Sequence, residues 1–187
     1  MVRAGVNAER LTQAAAELAD EVGFDQLTVS ALARRFGVKD ASLYSHVRNV
    51  REVRTRVAVL ALAELADRVA AAMAGRAGRD ALAAFADAHR DYARRHPGRY
   101  TAMLLPLDPE TAAASAAQRH SDLTRAILRG YDLTEPAQTD AIRLLHSTIH
   151  GYVTLEAAGG FGHTARPSEA SWIAALDALH TLLTNWP

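Results

Sequence analysis

Apolar residues recur at intervals of three and four along nearly every segment of this chain, and glycines and prolines cut that pattern into separate lengths. Alanine, the strongest helix former, is abundant throughout. A chain written this way predicts an all-α protein, whose amphipathic helices must bury their stripes against one another. Its 187 residues, 49% hydrophobic, suffice for one compact body or for a small module attached to a larger one.

Asn7 is placed to cap a first helix with Leu11, Ala15, Leu18 and Val22 on one stripe, ended by Gly23. Thr28 caps a second, with Val29, Leu32, Ala33 and Phe36 inward and Gly37 closing it. Val38, Leu43 and Val47 mark a third, very short helix. A fourth runs from Val50 to about Ala74 with Val53, Val57, Leu60 and Leu65 inward, and Gly75 and Gly78 break it. Another spans Arg79 to Arg95, with Leu82, Phe85, Ala86, His89 and Tyr92 at helical spacing, until His96, Pro97 and Gly98 interrupt it. A short amphipathic piece from Arg99 to Leu105 and a loop at Pro106 and Pro109 lead to one long alanine-rich helix, Glu110 to Arg129, ending at Gly130. The next begins near Thr134 and Pro136 and stops at Gly159, Gly160 and Gly162; Ser168 caps the last, with Trp172, Ile173, Leu176, Leu179 and Leu183 apolar. No internal repeat and no long linker interrupts the chain. The expected division, 1–50 and 51–187, is therefore functional more than physical.

The stretch LTVSALARRFGVKDASLYSHVRNVREV, Leu27 to Val53, sets two short helical patterns around one glycine turn. Between Thr28 and Arg56 it carries Arg34, Arg35, Lys39, Arg48, Arg51, Arg54 and Arg56 against Asp40 and Glu52. Formal net charge is +0, so the excess is local: residues 1–56 hold nine Lys or Arg against seven Asp or Glu, and the remainder twelve against fourteen. Three helices with this turn read as a helix-turn-helix, whose natural partner is double-stranded DNA. Val38, Leu43 and Val47 would hold the third helix against Leu18, Leu32 and Phe36. Lys39, Asp40, Ala41, Ser42, Tyr44, Ser45 and His46 then remain outward, where a helix enters the major groove. Lys39 and Ser42 are candidates for base edges; Asp40 either accepts from cytosine or stabilises the helix end. Tyr44, His46 and the arginines also have plainer readings, as packing residues or a solvated face. Two symmetry-related modules would read a palindromic operator with half-sites about 34 Å apart.

The Thr28 start, the LARRFGV turn and ASLYSHVRN followed by Val53 resemble the tetracycline-repressor family of one-component transcription regulators, over the chain up to about Thr55. The resemblance implies a recognition helix and its edges at Lys39 to His46, with Thr28, Tyr44, His46 and the start of the fourth helix at or beside backbone phosphates. Two positions depart from the family pattern. Many relatives have Ser or Thr where this chain has Lys39, which removes a side-chain cap that Asp40 offsets in part through the helix field. A lysine common at the start of the following helix is replaced by Val50, and Arg48 and Arg51 flank that gap as substitutes. The resemblance further implies a ligand-controlled operator-binding repressor. Its C-terminal helices would bind a small effector, and its last two, Pro136 to Ala158 and Ser168 to Trp186, would pair with a second subunit as a homodimer. HGYVTLEAAG, His150 to Gly159, resembles one C-terminal subgroup.

Apolar surplus supports the dimer independently. Leu144, Leu145, Ile149, Tyr152, Val153 and Leu155 cover more than one narrow stripe, as does Trp172 to Leu183, and a helix apolar on two faces needs two partners. Burial of both faces within one subunit is the alternative. Phe85, His89, Tyr92, Met103, Tyr152, Phe161 and Trp172 are candidate effector contacts, set against the plain core reading of aromatics at helical spacing. A wall of such side chains favours an apolar or aromatic ligand. His146 and His150, four apart on one face, fit effector contact or a core or interface hydrogen bond. No third ligand has metal-site spacing, so neither metal nor cofactor is expected.

Absence of cysteine excludes a disulfide framework, a thiolate nucleophile and cysteine metal ligation. AGGFGH, Ala158 to His163, follows a helix, so it marks a flexible corner and not a dinucleotide loop. Apolar runs are too short for a bilayer, and Met1 to Arg10 has no secretory pattern, so a soluble cytoplasmic protein is expected. Two rival functions stand beside regulation. A helical enzyme would use His89, His146 or His150 as a base but lacks an organised carboxylate pair; a constitutive DNA-binding protein would have no effector.

Overall fold

Asn7 opens the first helix as its spacing predicts: its Oδ1 accepts from Arg10 N at 2.8 Å, and α1 runs Ala8–Val22. The structure, a computed structural model, describes residues 7–187, so Met1 to Val6 of the polar start lie outside it. Among the described residues the chain is helical without strands. After α1 come α2 (Val29–Phe36), α3 (Asp40–Leu43), α4 (Val50–Met73), α5 (Gly78–Arg95), α6 (Pro97–Ala102), α7 (Pro109–Ala114), α8 (Ala117–Leu128), α9 (Ala137–Ala157) and α10 (Ser168–Thr184). They form two compact units interleaved in sequence: the chain up to Glu64 with Arg95–Ala117, and Leu65–Arg94 with Gln118–Pro187. Among these residues no helix is long and apolar enough to cross a membrane.

In the first unit Leu11, Leu18, Phe24, Leu27, Leu32, Leu43, Val47, Val53 and Val57 form one buried core. Thr28 Oγ1 accepts from Ala31 N at 3.1 Å, and Gly37 closes α2 at φ 64, a left-handed conformation that glycine adopts without penalty. Val22 and Val38 depart from the expected pattern, at 46% and 36% exposed. Val22 ends α1 beyond its last buried residue, Ala19, and α3 with its flank is held by Leu43 and Val47 without Val38.

α5 ends at Arg95, at the interruption expected from His96, Pro97 and Gly98, and the next helix begins at Pro97, two residues earlier than expected. Pro97 occupies the first turn of α6, where its missing N–H costs nothing. Gly98 lets this helix meet α1 closely: a Cβ there would lie 2.0 Å from the Ala19 oxygen. Next to it, buried Arg99 donates its backbone N–H to Asp20 Oδ1 at 2.9 Å, and its Nη1 reaches both Glu64 oxygens at 3.1 Å. α6 is thereby fastened to α1 and α4.

The single helix expected over 110–129 is two. Ser115 breaks it with an extended backbone, its Oγ donating to Ala112 O at 2.8 Å and accepting from Ala117 N at 3.1 Å. Serine competes with helix continuation by bonding its own neighbours, which a surrounding run of alanines conceals. In the second unit Leu82, Phe85, Tyr92, Ile127, Leu128, Leu145, Trp172 and Leu176 are buried. Pro167 takes the cap position of α10, and Ser168, expected there, is its first helical residue. The glycine corner is hydrogen-bonded in place, with Gly160 N donating to Leu155 O at 2.8 Å and Gly162 N to Gly159 O at 3.0 Å.

Candidate DNA interface and effector body

Lys39 takes the cap position of α3 with no side-chain hydrogen bond to the helix. Asp40 does not stand free: its Oδ2 accepts from Ser30 Oγ, linking α3 to α2. Ser45 is also engaged, its Oγ donating to Ser42 O at 2.8 Å. Lys39, Ala41, Ser42 and Tyr44 remain exposed, Tyr44 at 54%. His46 is half-buried and its backbone oxygen accepts from Arg56 Nη2 at 3.2 Å.

The basic residues sort into two groups. Arg35 Nη1 pairs with both oxygens of Glu21 at 2.7 and 2.9 Å, and its Nη2 with Glu17 at 2.9 Å. Arg54 bonds the Asp25 and Leu27 carbonyls at 2.8 and 3.3 Å and lies 5.7 Å from the Phe24 ring centre. Arg56 pairs with Glu52 at 2.6 Å. These three tie the module together. Among the described residues, the side chains of Arg34, Lys39 and Arg51 make no hydrogen bond or ion pair, and Arg48 is exposed near Glu52. Counter-ion release on phosphate is open to this second group without breaking an internal pair.

The start of α4 is closed without a lysine. Asn49 Oδ1 accepts from Glu52 N at 2.9 Å, and Glu52 Oε2 reaches back one residue further to accept from Arg48 N at 2.7 Å, a variant of the capping box. That backbone donor is the main reason the Glu52 carboxyl is held below its ordinary pKa, with Arg56 adding to it. The N-x-x-E spacing of Asn49 and Glu52 is legible in the sequence and is the signal that finds this feature.

In the second unit the expected effector residues form two groups. Tyr152 packs on Phe161 and Trp172, ring centres 4.7 and 4.9 Å apart. Arg90, only 4% exposed, lies over the Tyr152 and Trp172 rings at 5.7 and 5.0 Å. Its Nε and Nη2 grip Glu156 at 2.9 and 2.7 Å, and its Nη1 bonds Glu169 at 2.6 Å. The Arg90 bonds hold the Glu156 carboxyl down to about 2 against the effect of burial, with Ser168 and Arg94 adding to them. Trp172 Nε1 donates to Asp87 at 2.6 Å.

Phe85, His89 and His146 form the other group, with His89 4.3 Å from the Phe85 ring centre and 6.2 Å from that of His146. Burial pushes His89 down to about 3, so its imidazole is neutral. His146 is lowered by burial first and by His120 second. Tyr92 is buried with Arg68 5.4 Å over its ring, and His150 is half-buried on α9. Met103 ends α6 in the first unit, apart from the set. Among the described residues no group of three or more His, Asp or Glu is arranged to hold a metal.

Two family models match the chain: bacterial regulatory proteins of the tetR family over residues 11–51, and the tetracyclin repressor-like C-terminal domain over 82–179. An uncharacterized HTH-type transcriptional regulator of Mycobacterium tuberculosis, Rv0681, is 35% identical over 83% of this chain and 72% of that protein. The chain belongs to the tetracycline-repressor family. A second uncharacterized HTH-type regulator, YobS of Bacillus subtilis, is 30% identical over 85% of this chain and 83% of its own length. Among solved structures, the Streptomyces coelicolor TetR family protein ActR in complex with (S)-DNPA shares the fold at a TM-score of 0.71 and 19% identity, covering 98% of this chain and 100% of that one.

As a tetracycline-repressor family member the protein is a DNA-binding transcriptional regulator, with α2 and α3 as its helix-turn-helix. Arg90 and His120 are the residues of its second unit that sequence reading missed. A buried arginine carries no periodic signal, and its partners Glu156 and Glu169 are 66 and 79 residues away. His120 lies in an otherwise polar run, and only the folded bundle brings it 6.2 Å from His89.

Proposed function

We propose that this regulator acts in the cytoplasm as a homodimeric repressor that binds a palindromic operator and is released by a small apolar or aromatic effector. Residues 1–50 read DNA in this scheme, and residues 51–187 bind effector and the second subunit. The observation that carries the DNA-reading part is the exposed set Lys39, Ala41, Ser42 and Tyr44 beside Arg48 and Arg51, while Arg35, Arg54 and Arg56 are spent inside the module. Lys39 and Ser42 are assigned to base edges. Tyr44, Arg48 and Arg51 are assigned to phosphates, where the two arginines replace the contact absent at Val50, and Thr28 and His46 lie at the edge of that surface. Asp40 and Ser45 shape α3 from within. Phe85, His89, Tyr92, His146, His150, Tyr152, Phe161 and Trp172 remain effector contacts to be tested singly, and Met103, which belongs to the first unit, is not assigned to them.

Arg51→Ala should weaken binding to all DNA sequences alike and lower the slope of log affinity against log salt by about one; Tyr44→Phe should weaken operator binding at fixed salt. Anisotropy titrations on an operator selected from random duplexes would check both. Unchanged affinity in the single and double variants would overturn the placement of the phosphate-facing surface. Equal operator affinity with and without ligand across a broad effector screen would leave a constitutive binder in place of a repressor. Turnover that survives loss of DNA contacts would favour the enzyme reading.

Exposed Leu155 on α9, together with Ile173 and Leu182 on α10, supports pairing of these helices between subunits. Gly151 belongs to the same part of α9, where an added Cβ would meet nothing within 4 Å inside the subunit. The double change Leu155→Asp and Ile173→Asp should convert dimer to monomer in sedimentation equilibrium while helical circular dichroism is retained. A dimer that persists would move the interface elsewhere.

A further inference from the structure

Between α8 and α9 lies a cleft of about 260 Å³ whose chemistry differs from the aromatic wall expected of the effector site. Buried His120 and Thr124 and half-buried His146 line its inner part, Ile142 one side, and exposed Arg125 and Arg143 its mouth. No carboxylate lines it. Among the described residues Arg125 makes no ion pair, and Arg143 has Asp140 only at 3.9 Å, with both side chains largely exposed. Two guanidinium charges are therefore available at the mouth, in the fork geometry that matches a carboxylate.

The proton positions inside follow from the donors. Thr124 Oγ1 gives its one hydrogen to His120 O at 2.9 Å, so at 3.1 Å from His146 Nε2 it accepts, which leaves His146 Nδ1 as a bare acceptor. Behind this layer His89 Nδ1 faces the Phe85 carbonyl at 2.8 Å and must donate to it. His89 Nε2 is then a second bare acceptor, without a hydrogen-bond partner among the described residues. Phe85, which does not line the cleft, packs edge-on against the His146 ring at 5.8 Å and fixes its orientation from behind. A neutral acceptor on His146, which lines the cleft, and positive charge at the mouth complement a ligand with a hydroxyl at one end and an anion at the other. The volume lies below the usual range of roughly 300–1,000 Å³ for drug-sized ligands, which restricts the ligand to a single ring.

We infer that this cleft binds a small single-ring aromatic acid, with its carboxylate on Arg125 and Arg143 and its ring and hydroxyl toward His120 and His146. That such an acid also serves as the effector rests on the function proposed above. The probes are benzoate, 4-hydroxybenzoate and methyl 4-hydroxybenzoate, titrated calorimetrically into the full chain while histidine ring resonances are followed by NMR. 4-Hydroxybenzoate should bind about tenfold or more tightly than its uncharged ester, the effect of one charge-assisted pair, and should shift the His120 and His146 rings. Arg125→Met with Arg143→Met, both exposed and so compatible with folding, should abolish that preference. Equal affinity for acid and ester, no acid binding up to millimolar concentration, or a preference unchanged in the double variant would each overturn the inference.

A selected operator duplex separates the two claims. Acid bound in the cleft with unchanged duplex affinity upholds the ligand class and sinks the effector reading. Duplex release by another compound, with no aromatic acid bound, overturns the ligand class and leaves the effector reading standing.

Discussion

Replacing Gly98 with alanine is expected to unfold or severely weaken the first unit. The added Cβ would stand 2.0 Å from the Ala19 oxygen, 2.1 Å from its carbonyl carbon and 2.6 Å from Asp20 N. All three are helix backbone, which has no rotamer to turn aside, so α6 must lift from α1. That movement would break the bond from Arg99 N to Asp20 and disturb the Arg99–Glu64 pair. The cost should exceed the ~1–3 kcal/mol usual for overpacking, lowering the thermal midpoint of the full chain by about 10 °C or more. Circular dichroism during heating would measure it. A midpoint within about 2 °C of wild type would show that α6 does not approach α1 this closely.

Arg90→Ala should have a comparable effect in the second unit. It removes a buried guanidinium held by two carboxylates and two aromatic faces, leaving Glu156 mostly buried with only Arg94 as a partner cation. Breaking a buried pair from one side costs roughly 3–5 kcal/mol. Arg90→Lys should fall between, since an ammonium keeps the charge and loses the two-pronged grip. The sign of the pH dependence follows from Glu156, whose folded-state pKa is lowered from 4.5 to about 2. Its contribution is fully present above pH 4.5 and is lost as pH falls toward 2, so the gap between wild type and Arg90→Ala should narrow below 4.5. Urea midpoints at pH 7, 4 and 3 would test this; a gap that stays constant or widens in acid would show that Glu156 is not the group Arg90 holds ionised.

Local rules were legible in the sequence where a signal and its consequence lie within one turn. Asn7 and Thr28 cap as their spacing requires, Gly37 closes α2, and the apolar positions Leu11, Leu32, Leu43, Val53 and Val57 are core. Ser115 hides its break because it is ambiguous locally: a serine amid alanines can continue a helix or end one. At Pro97 the end of α5 was legible and only the start of the next helix, two residues before Arg99, was not, since a proline can both end one helix and begin another. The basic face was overcounted for a different reason. Charge is visible in sequence, but the Glu21, Asp25 and Leu27 groups that consume Arg35 and Arg54 meet them only through folding. The interleaving of the two units was illegible for the same reason, since Gly98 looks like a simple interruption until Ala19 is set beside it.

The guanidinium of Arg90 has a consequence for selectivity. Aromatic faces beside carboxylates, such as Tyr152 and Trp172 with Glu156 and Glu169, are the furnishings of a receptor for organic cations. Here the protein has supplied its own cation. A quaternary amine arriving from solution would have to expel a side chain already held by two acids and tethered to α5, so the cage is filled from within.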